Sequence, residues 1–274
     1  MKIMIKFRVI LLMLAGSFFY QQASAQALSF SPTRVYFKGN PGETVSEIIT
    51  IHNSSAEPYE FIISLKDWNR DSIGIKEYSP MGTLPNSNAK GITLPGTNFQ
   101  LNPKEKKSFT VSMVIPKAGN SVSTNSMLFF TQTNAKAPNM EGNAGIGVKV
   151  SLELGVQLFY IPADAKKGEL KFLAFEQQST TVEQKQAEQL AVKFENTGEI
   201  PKDGFIRFEL TNKQTGEEIK LKPIPIAIMP LDHQWAYCAL PYALVPGEYL
   251  AVAILDAGGN NDLKVAEKDI HVKR

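Results

Sequence analysis

Residues 146–160 read IGVKVSLELGVQLFY, and this stretch decides the fold class. Apolar residues occupy alternate positions along it, namely Ile146, Val148, Val150, Leu152, Leu154 and Val156. The positions between them carry polar residues, among them Lys149, Ser151, Glu153 and Gln157. Alternation with a period of two predicts a β-strand with one apolar and one polar face. From Ile146 to Val156 such a strand spans about 33–36 Å, which is long beside the usual ~5–6 residues.

Two interpretations of this strand are open. In the first, its whole apolar face packs in an ordinary core. In the second, the strand extends beyond its own sheet, and its overhanging apolar face serves a partner strand or an incomplete fold. The preceding residues 134–145 are rich in Asn, Ala and Gly, which predicts a loop that becomes ordered when a partner pairs beside it.

The rest of the chain also reads as strands. Residues 47–53 and 109–114 alternate in the same way, and turn sequences such as Asn40-Pro41-Gly42 and Pro246-Gly247 separate such runs. A helix candidate, Val182 to Gln189, is short and lacks an apolar stripe, so we interpret it as a polar loop or strand edge. Many short strands with regular turns predict an all-β protein built from β-sandwiches.

A weak internal repeat predicts two such sandwiches. A strand that ends in an Asn turn occurs at residues 49–54 and again at 192–197, at an offset of 143 positions. Leu101-Asn102-Pro103 and Leu244-Val245-Pro246 share the same offset. The stretch 161–167 contains Pro162 and several small and charged residues, which predicts the boundary there. We therefore expect an N-terminal domain over residues 26–163 and a C-terminal domain over 164–274.

The N-terminus predicts export. Lys2, Lys6 and Arg8 precede a short apolar run from Val9 to Tyr20, and the small-residue sequence Ala23-Ser24-Ala25 follows. This order is typical of a cleaved secretory signal peptide over residues 1–25, so the mature chain would begin at Gln26. The run is shorter than the ~20 residues of a membrane span, and no later run is long enough, so we expect a soluble or peripheral mature protein.

The charge of the mature chain argues against nucleic acid as a partner. The whole chain has 29 basic and 27 acidic residues, and the three cations of the signal peptide leave 26 against 27. The apparent basicity thus belongs to the removed segment. A protein that binds nucleic acid through bulk positive charge is therefore not expected.

No residue pattern indicates catalysis, a cofactor or a metal. The single cysteine, Cys238, lies in an apolar run, which predicts a buried thiol without a disulfide. Residues 67–71 begin like a calcium loop, but Ser72 and Tyr78 stand where that loop requires Gly and Glu, so a turn with Gly74 is the better interpretation. We expect a protein that is not an enzyme and has no cofactor or metal site.

Two further motifs carry a family resemblance. The sequence Ser31-Pro32-Thr33-Arg34-Val35-Tyr36-Phe37 and the sequence Gln157-Leu158-Phe159-Tyr160-Ile161-Pro162 resemble those of the PapD-like periplasmic chaperones of pilus assembly. The order of parts is also similar, and the resemblance covers most of the first domain. It implies two immunoglobulin-like β-sandwiches in an L-shaped arrangement, a periplasmic location and no catalysis.

The resemblance also implies a mechanism and its residues. In that family the chaperone lends its long strand to pilus subunits that lack their last strand, and alternate side chains fill the apolar groove. The groove-filling residues would be Val148, Val150 and Leu152. Arg34 would anchor the subunit's terminal carboxylate in the cleft between the domains. The expected partners are pilus or surface-protein subunits, with an outer-membrane usher as a further partner.

One departure from the family pattern keeps an alternative open. The family has a Lys where this chain has Gln157, and a neutral amide gives a weaker bond to a carboxylate than a cation does. Either another cation substitutes, with Lys149 and Lys166 as candidates, or the ligand is not a terminal carboxylate. The alternative for Arg34 is a surface strand cation or a structural ion pair. The alternative function is a non-chaperone immunoglobulin-like structural or adhesion protein of the cell envelope.

Overall fold

A computed structural model describes residues 28–117, 121–136, 149–182, 185–259 and 263–273. The predicted signal peptide, the mature start at Gln26 and the residues 146–148 with Val148 lie outside these residues. Within them, no helix is both long and apolar enough to cross a membrane.

Among the residues that the structure describes, ten strands form the first sandwich. In chain order they are β1 (Leu28–Ser31), β2 (Arg34–Phe37), β3 (Thr44–Asn53), β4 (Tyr59–Arg70), β5 (Lys76–Pro80), β6 (Ile92–Thr93), β7 (Asn98–Leu101), β8 (Lys106–Val114), β9 (Thr124–Gln132) and β10 (Glu153–Tyr160). One sheet has the order β1-β3-β8-β6, and the other has the order β2-β10-β9-β4-β5 with β7 paired to β4. Alternate residues of both sheets, such as Ile49, Val111, Leu128 and Leu158, form one buried core.

In the described part of the chain, eight strands form the second sandwich. They are β11 (Leu170–Val182), β12 (Lys185–Asn196), β13 (Lys202–Asn212), β14 (Glu218–Lys220), β15 (Ile224–Ile228), β16 (His233–Ala239), β17 (Gly247–Asp256) and β18 (Lys264–Val272). Their sheets have the orders β11-β12-β16 and β14-β13-β17-β18, with β15 paired to β13. A separate apolar core lies between these two sheets. The predicted all-β class and the two sandwiches are confirmed. Of the segment first weighed as a helix, Val182 and residues 185–189 belong to strands.

Two details of the second sandwich bear on its stability. The hydroxyl of the buried Tyr249 donates to the carbonyl oxygen of Val245 at 2.9 Å, which is the tyrosine corner of immunoglobulin-like folds. The side-chain amide of Gln177 in β11 pairs with the backbone of His271 in β18, donating to its oxygen at 2.7 Å and accepting from its N–H at 3.1 Å. Cys238 is buried as predicted.

The strand predicted for residues 146–160 is shorter in the structure. β10 begins at Glu153, and residues 149–152 lie outside any strand. Only a few bonds hold this segment, since the backbone N–H of Gln132 donates to the oxygen of Leu152 at 2.8 Å and Ser151 Oγ donates to the oxygen of Gln132 at 2.7 Å. Alternation predicts which side chains share a face, but a strand also needs a neighbouring strand with which its backbone can pair. The neighbour of β10 is β9, which ends at Gln132, so β10 cannot begin much before Glu153.

The internal repeat holds for the Asn turns. Asn53 and Asn196 are both buried, and each donates from Nδ2 to the carbonyl oxygen four residues later, at 2.7 and 2.8 Å. Each also accepts from the backbone N–H two residues later, at 2.9 Å. The same side chain thus closes the same turn in both domains.

The second half of the repeat was assigned wrongly. The structural counterpart of Asn102-Pro103-Lys104-Glu105 is Met229-Pro230-Leu231-Asp232, and not the sequence around Pro246. Lys104 and Leu231 both have positive φ, at 61° and 56°. The backbone N–H of Asn53 donates to Glu105, and that of Asn196 donates to Asp232, each at 2.9 Å. The offset differs from 143 because the two domains have different strand and loop lengths between these turns.

Candidate partner-binding site

The site is built on the outer face of the sheet β2-β10-β9-β4-β5, which is the face turned away from the first core. The register pairs Gln157 with Arg34, Phe159 with Tyr36, Trp68 with Tyr78 and Arg70 with Lys76. Because side chains alternate along strands, these pairs project from the same side. Ring contacts support this placement, with Phe159 at 5.6 Å from Tyr36 and at 5.7 Å from Trp68 between centroids.

Arg34, the predicted anchor, lies at the start of β2 beside the second domain. Both of its terminal nitrogens donate to the carboxylate of Asp203 in β13, with Nη2 to Oδ1 at 3.1 Å. The pKa of Arg34 is raised, chiefly because of this hydrogen bond. The side chain of Arg34 is 31% exposed and that of Asp203 is 54% exposed. The structure therefore places Arg34 in the cleft between the domains and gives it a partner within the chain.

Gln157 is the register neighbour of Arg34 and is almost fully buried. Its backbone N–H donates to the carbonyl oxygen of Thr33 at 3.1 Å, which ties β10 to the start of β2. The two cations considered as substitutes for the family Lys lie elsewhere, since Lys149 is exposed before β10 and Lys166 follows it in the connection to the second domain.

Two further cations lie on the same face of the sheet as Arg34. Arg70 and Lys76 lie opposite each other on β4 and β5, and each is 5.6 Å from the ring centroid of Trp68. Burial lowers the pKa of Arg70, while the charge of Asp203 opposes this effect and that of Arg34 adds to it. Burial and the charges of Arg70 and Arg34 lower the pKa of Lys76. The cleft is thus a region of positive potential.

The two domains meet in a packed interface beside these cations. Met229 of the second domain is buried in an apolar cluster with four residues of the first, namely Trp68, Met127, Phe129 and Phe159. Backbone hydrogen bonds cross the interface from Trp235 N–H to the oxygen of Ser72 at 2.7 Å and from Ser123 N–H to the oxygen of Glu199 at 2.8 Å. These contacts fix the walls of the cleft relative to each other.

The cleft itself has a volume of about 590 Å³. Its first-domain side carries Arg34 and Arg70 with the turn at Ile73 and Gly74. Its second-domain side is mostly apolar and includes Phe205, Ile224, Pro225, Trp235 and Tyr237. Gly74 has φ = +84°, a conformation that favours glycine, and this confirms the predicted turn.

The edge of β10 is open along half of its length. β9 pairs with all of Glu153–Tyr160, whereas β2 pairs only with Gln157–Tyr160. Among the described residues, no strand covers the other side of Glu153–Val156. Because Gln157 directs its N–H toward β2 and backbone groups alternate in direction, Glu153 and Gly155 direct theirs to this open side.

The residues that precede this edge are apolar and accessible. Val150 is 69% exposed and Leu152 is 37% exposed, whereas Leu154 and Val156, further along the same parity, join the first core. The apolar face of the predicted strand therefore packs into the first core only in its second half, at Leu154 and Val156. The other residue assigned to this face, Val148, lies outside the described residues.

Several residues of the site were not identified from the sequence. Asp203 is 169 positions from Arg34, so no local pattern links them. Arg70 was considered only as part of the segment 67–71 and Lys76 was not considered, although their spacing around Gly74 predicts a hairpin that places them opposite each other. Trp68 and Arg70 are two positions apart in β4, so their side chains lie on the same face of the sheet. This spacing was the signal that could have placed Trp68 in the site.

The two-sandwich fold is that of immunoglobulin-like proteins, and the solved structures to which the chain is similar include several fimbrial chaperones. The chain matches no family model and no curated protein sequence. It is similar to the class 5 fimbriae chaperone CfaA, at 12% identity and a TM-score of 0.45 over 88% of this chain and 98% of that one. It is similar to the YadV chaperone at 15% identity and 0.45, over 90% and 100%. It is also similar to a Salmonella enterica complex of the SafA pilin with the SafB chaperone, at 14% identity and 0.42, over 89% and 97%.

Proposed function

We propose that this chain is a periplasmic chaperone that binds incomplete immunoglobulin-like pilus or surface subunits by lending them the edge of β10. The half-paired strand carries this proposal. Its open side, Glu153–Val156, presents backbone donors and acceptors in line, and an added strand can complete such a ladder. An exposed edge is a liability unless it serves pairing.

The exposed apolar residues beside the edge support the same function. Val150 and Leu152 are exposed and two positions apart. In a lent strand, side chains at this spacing lie on one face and would fill an apolar groove together. Burying two such side chains in a partner contributes about 1.5–3 kcal/mol each. A subunit would thus gain both backbone hydrogen bonds to the edge of β10 and apolar side chains for its core. We propose the same groove-filling role for Val148.

The role of Arg34 is proposed with one condition. The guanidinium of Arg34 is already paired with Asp203, so a subunit's carboxylate would either share Arg34 with Asp203 or displace Asp203 from it. Arg70 and Lys76 supply further positive charge beside it. This pairing, together with the neutral Gln157, is what favours the alternative of an envelope structural or adhesion protein.

Site-specific photo-crosslinking in the periplasm tests the proposal. A photoreactive amino acid at Leu152 is expected to capture an exported β-rich subunit, identified by mass spectrometry. The matched control is Ile48, an equally apolar residue that is 60% exposed on β3. Equal labelling at both positions, or no subunit captured at Leu152, would reject the chaperone and favour the alternative.

A further inference from the structure

A second cavity lies on the outer face of the sheet β1-β3-β8-β6, on the opposite side of the first sandwich from the candidate partner-binding site. Its volume is about 510 Å³. Three hydroxyl side chains, an imidazole, an ammonium group and an aromatic ring line it, namely Ser29, Ser31, Thr50, His52, Lys106 and Phe30. None of these lining residues is acidic. The cavity is thus rich in hydrogen-bond donors and carries a fixed positive charge.

The strand register brings these side chains together. Ser29 pairs with His52, and His52 pairs with Lys106, so three adjacent strands contribute to one row. Ser31 pairs with Thr50 in a second row, two residues further along each strand. Neighbouring strands lie about 4.8 Å apart, and residues two positions apart in a strand lie about 7 Å apart. One small ligand can therefore reach both rows.

The donors of this cavity are unused, unlike other hydroxyls on the same face of the sheet. Ser46 and Ser112 hydrogen bond to each other at 2.7 Å, and Thr50 hydrogen bonds to Ser108 at 3.0 Å. Four cavity side chains make no hydrogen bond or ion pair within the described part of the chain, namely Ser29, Ser31, His52 and Lys106. A ligand can therefore bind to them without the loss of an internal contact.

The charge of the cavity favours an anion. Glu105 precedes Lys106 in sequence, but its Oε2 accepts from the backbone N–H of Asn102 at 2.6 Å. A phosphomonoester has a charge of about −1.5 to −2 and three strong acceptor oxygens, so it matches an ammonium group and several hydroxyl donors at once. A carboxylate offers two oxygens and one charge. Phe30, which is partly buried against the first core, gives the cavity an apolar wall for the organic part of a ligand.

We propose that this cavity binds a phosphomonoester group on a small organic molecule. The ammonium group of Lys106 and the hydroxyls of Ser29 and Ser31 donate to the phosphate oxygens, and His52 donates from a ring N–H. The phosphomonoester comes either from a soluble sugar phosphate or from the headgroup of a lipid. This site goes beyond the proposed chaperone function and shares no residue with the partner-binding site.

Two binding measurements on the mature chain at low ionic strength test this. The first is calorimetric titration with glucose 1-phosphate, with acetate as the carboxylate control. The second is cosedimentation with phosphatidylcholine vesicles, with and without phosphatidic acid. Saturable binding of glucose 1-phosphate assigns a soluble ligand, and cosedimentation only with phosphatidic acid assigns a lipid headgroup. Absence of both, or acetate binding as tight as that of glucose 1-phosphate, would overturn the proposal.

Lys106→Met separates a built site from general charge attraction. It removes the ammonium group and keeps an unbranched apolar stem, so affinity for the bound probe should fall about tenfold, as expected for one charge-assisted hydrogen bond. Lys107→Met is the matched control, since Lys107 donates to the oxygen of Gln100 at 3.3 Å and does not line the cavity. Equal weakening by the two substitutions would show attraction by general charge and overturn the proposal.

Ser31→Ala tests the hydroxyl donors. It should weaken binding several-fold and leave the melting temperature unchanged, because this hydroxyl has no partner within the described residues. Ser112→Ala removes a hydroxyl from the same face outside the cavity and should leave the affinity unchanged. Unchanged affinity in both Ser29→Ala and Ser31→Ala would contradict the proposed donors. Failure of this site leaves the chaperone proposal as it stands, because crosslinking at Leu152 tests that proposal separately.

Discussion

Arg34 and Asp203 form a two-point ion pair that joins the first domain to the second. Because both side chains are partly exposed, we expect a double-mutant cycle of Arg34→Ala and Asp203→Ala to give a coupling of about 0.2–1 kcal/mol in urea unfolding. Arg34→Lys is the control, since it keeps the charge but loses the planar fork. A coupling of zero would mean that the pair does not hold in solution.

Asp203→Asn decides whether Arg34 also serves a partner. If Arg34 anchors a carboxylate, this substitution frees the guanidinium, and binding of a subunit with a free C-terminus should strengthen. Arg34→Ala should then weaken that binding by about 2–5 kcal/mol. If the pair is only structural, both variants lose stability and neither changes affinity. Surface plasmon resonance with a purified subunit, together with melting curves, makes this distinction.

Val150→Asp and Leu152→Asp are expected to abolish subunit binding and leave the fold intact. Both positions are exposed in the isolated chain, so the new carboxylate stays hydrated until a partner's groove must bury it, at a cost of several kcal/mol. Val156→Asp is the contrasting variant, since Val156 is fully buried in the first core and this change should unfold that domain. Melting curves and pull-down from periplasm provide the readouts, and unfolding of Leu152→Asp would show that its face is core.

Met229→Ala should loosen the contact between the domains. Met229 is buried among first-domain residues, and truncation of such a side chain costs about 2–5 kcal/mol. We expect calorimetric unfolding to separate into two transitions. Leu231→Ala, two residues away at an exposed position, is the matched control and should leave a single transition. Identical traces for the two variants would mean that the cluster does not couple the domains.

The buried Asp67 predicts a pH dependence of stability. Burial raises its pKa, but hydrogen bonds from Ser87 Oγ and from the backbone N–H of Leu84 and Thr83 outweigh this, so the pKa lies below its usual range. A lowered pKa contributes stability above the unfolded value of about 3.9 and loses it as the pH falls through the folded value.

Asp67→Asn tests this contribution. The variant should be less stable than the wild type by about 1–3 kcal/mol at pH 7, and the difference should shrink below about pH 4. Ser87→Ala removes one of the donors and should show part of the effect. Urea unfolding across this pH range measures both, and a difference that does not change with pH would contradict the assignment.

The sequence predicted what depends on local pattern. The alternation at 47–53 and 109–114, the turn at Gly74 and the Asn turns at Asn53 and Asn196 all appear in the structure. Each is set by residues a few positions apart, so period and turn chemistry suffice. The family resemblance pointed to Arg34 and Gln157 separately, and the structure shows that they are register neighbours.

The parts that failed depend on neighbours distant in the chain. The strand over 146–160 was predicted too long because alternation does not show where β9 ends. The second half of the repeat was misplaced because Leu244 shares the sequence offset of Leu101 without its place in the fold. Asp203 was missed because its pairing with Arg34 depends on how the two domains meet.

The amide of Gln177 has a consequence for self-association. By pairing with the backbone of His271 it occupies donor and acceptor groups that a second copy would need to extend the sheet there. A protein with two growing edges can polymerise head to tail, whereas a protein with one edge open and another closed stops at a single added strand. Gln177 thus protects this part of the outer edge of β18 from pairing with a second copy.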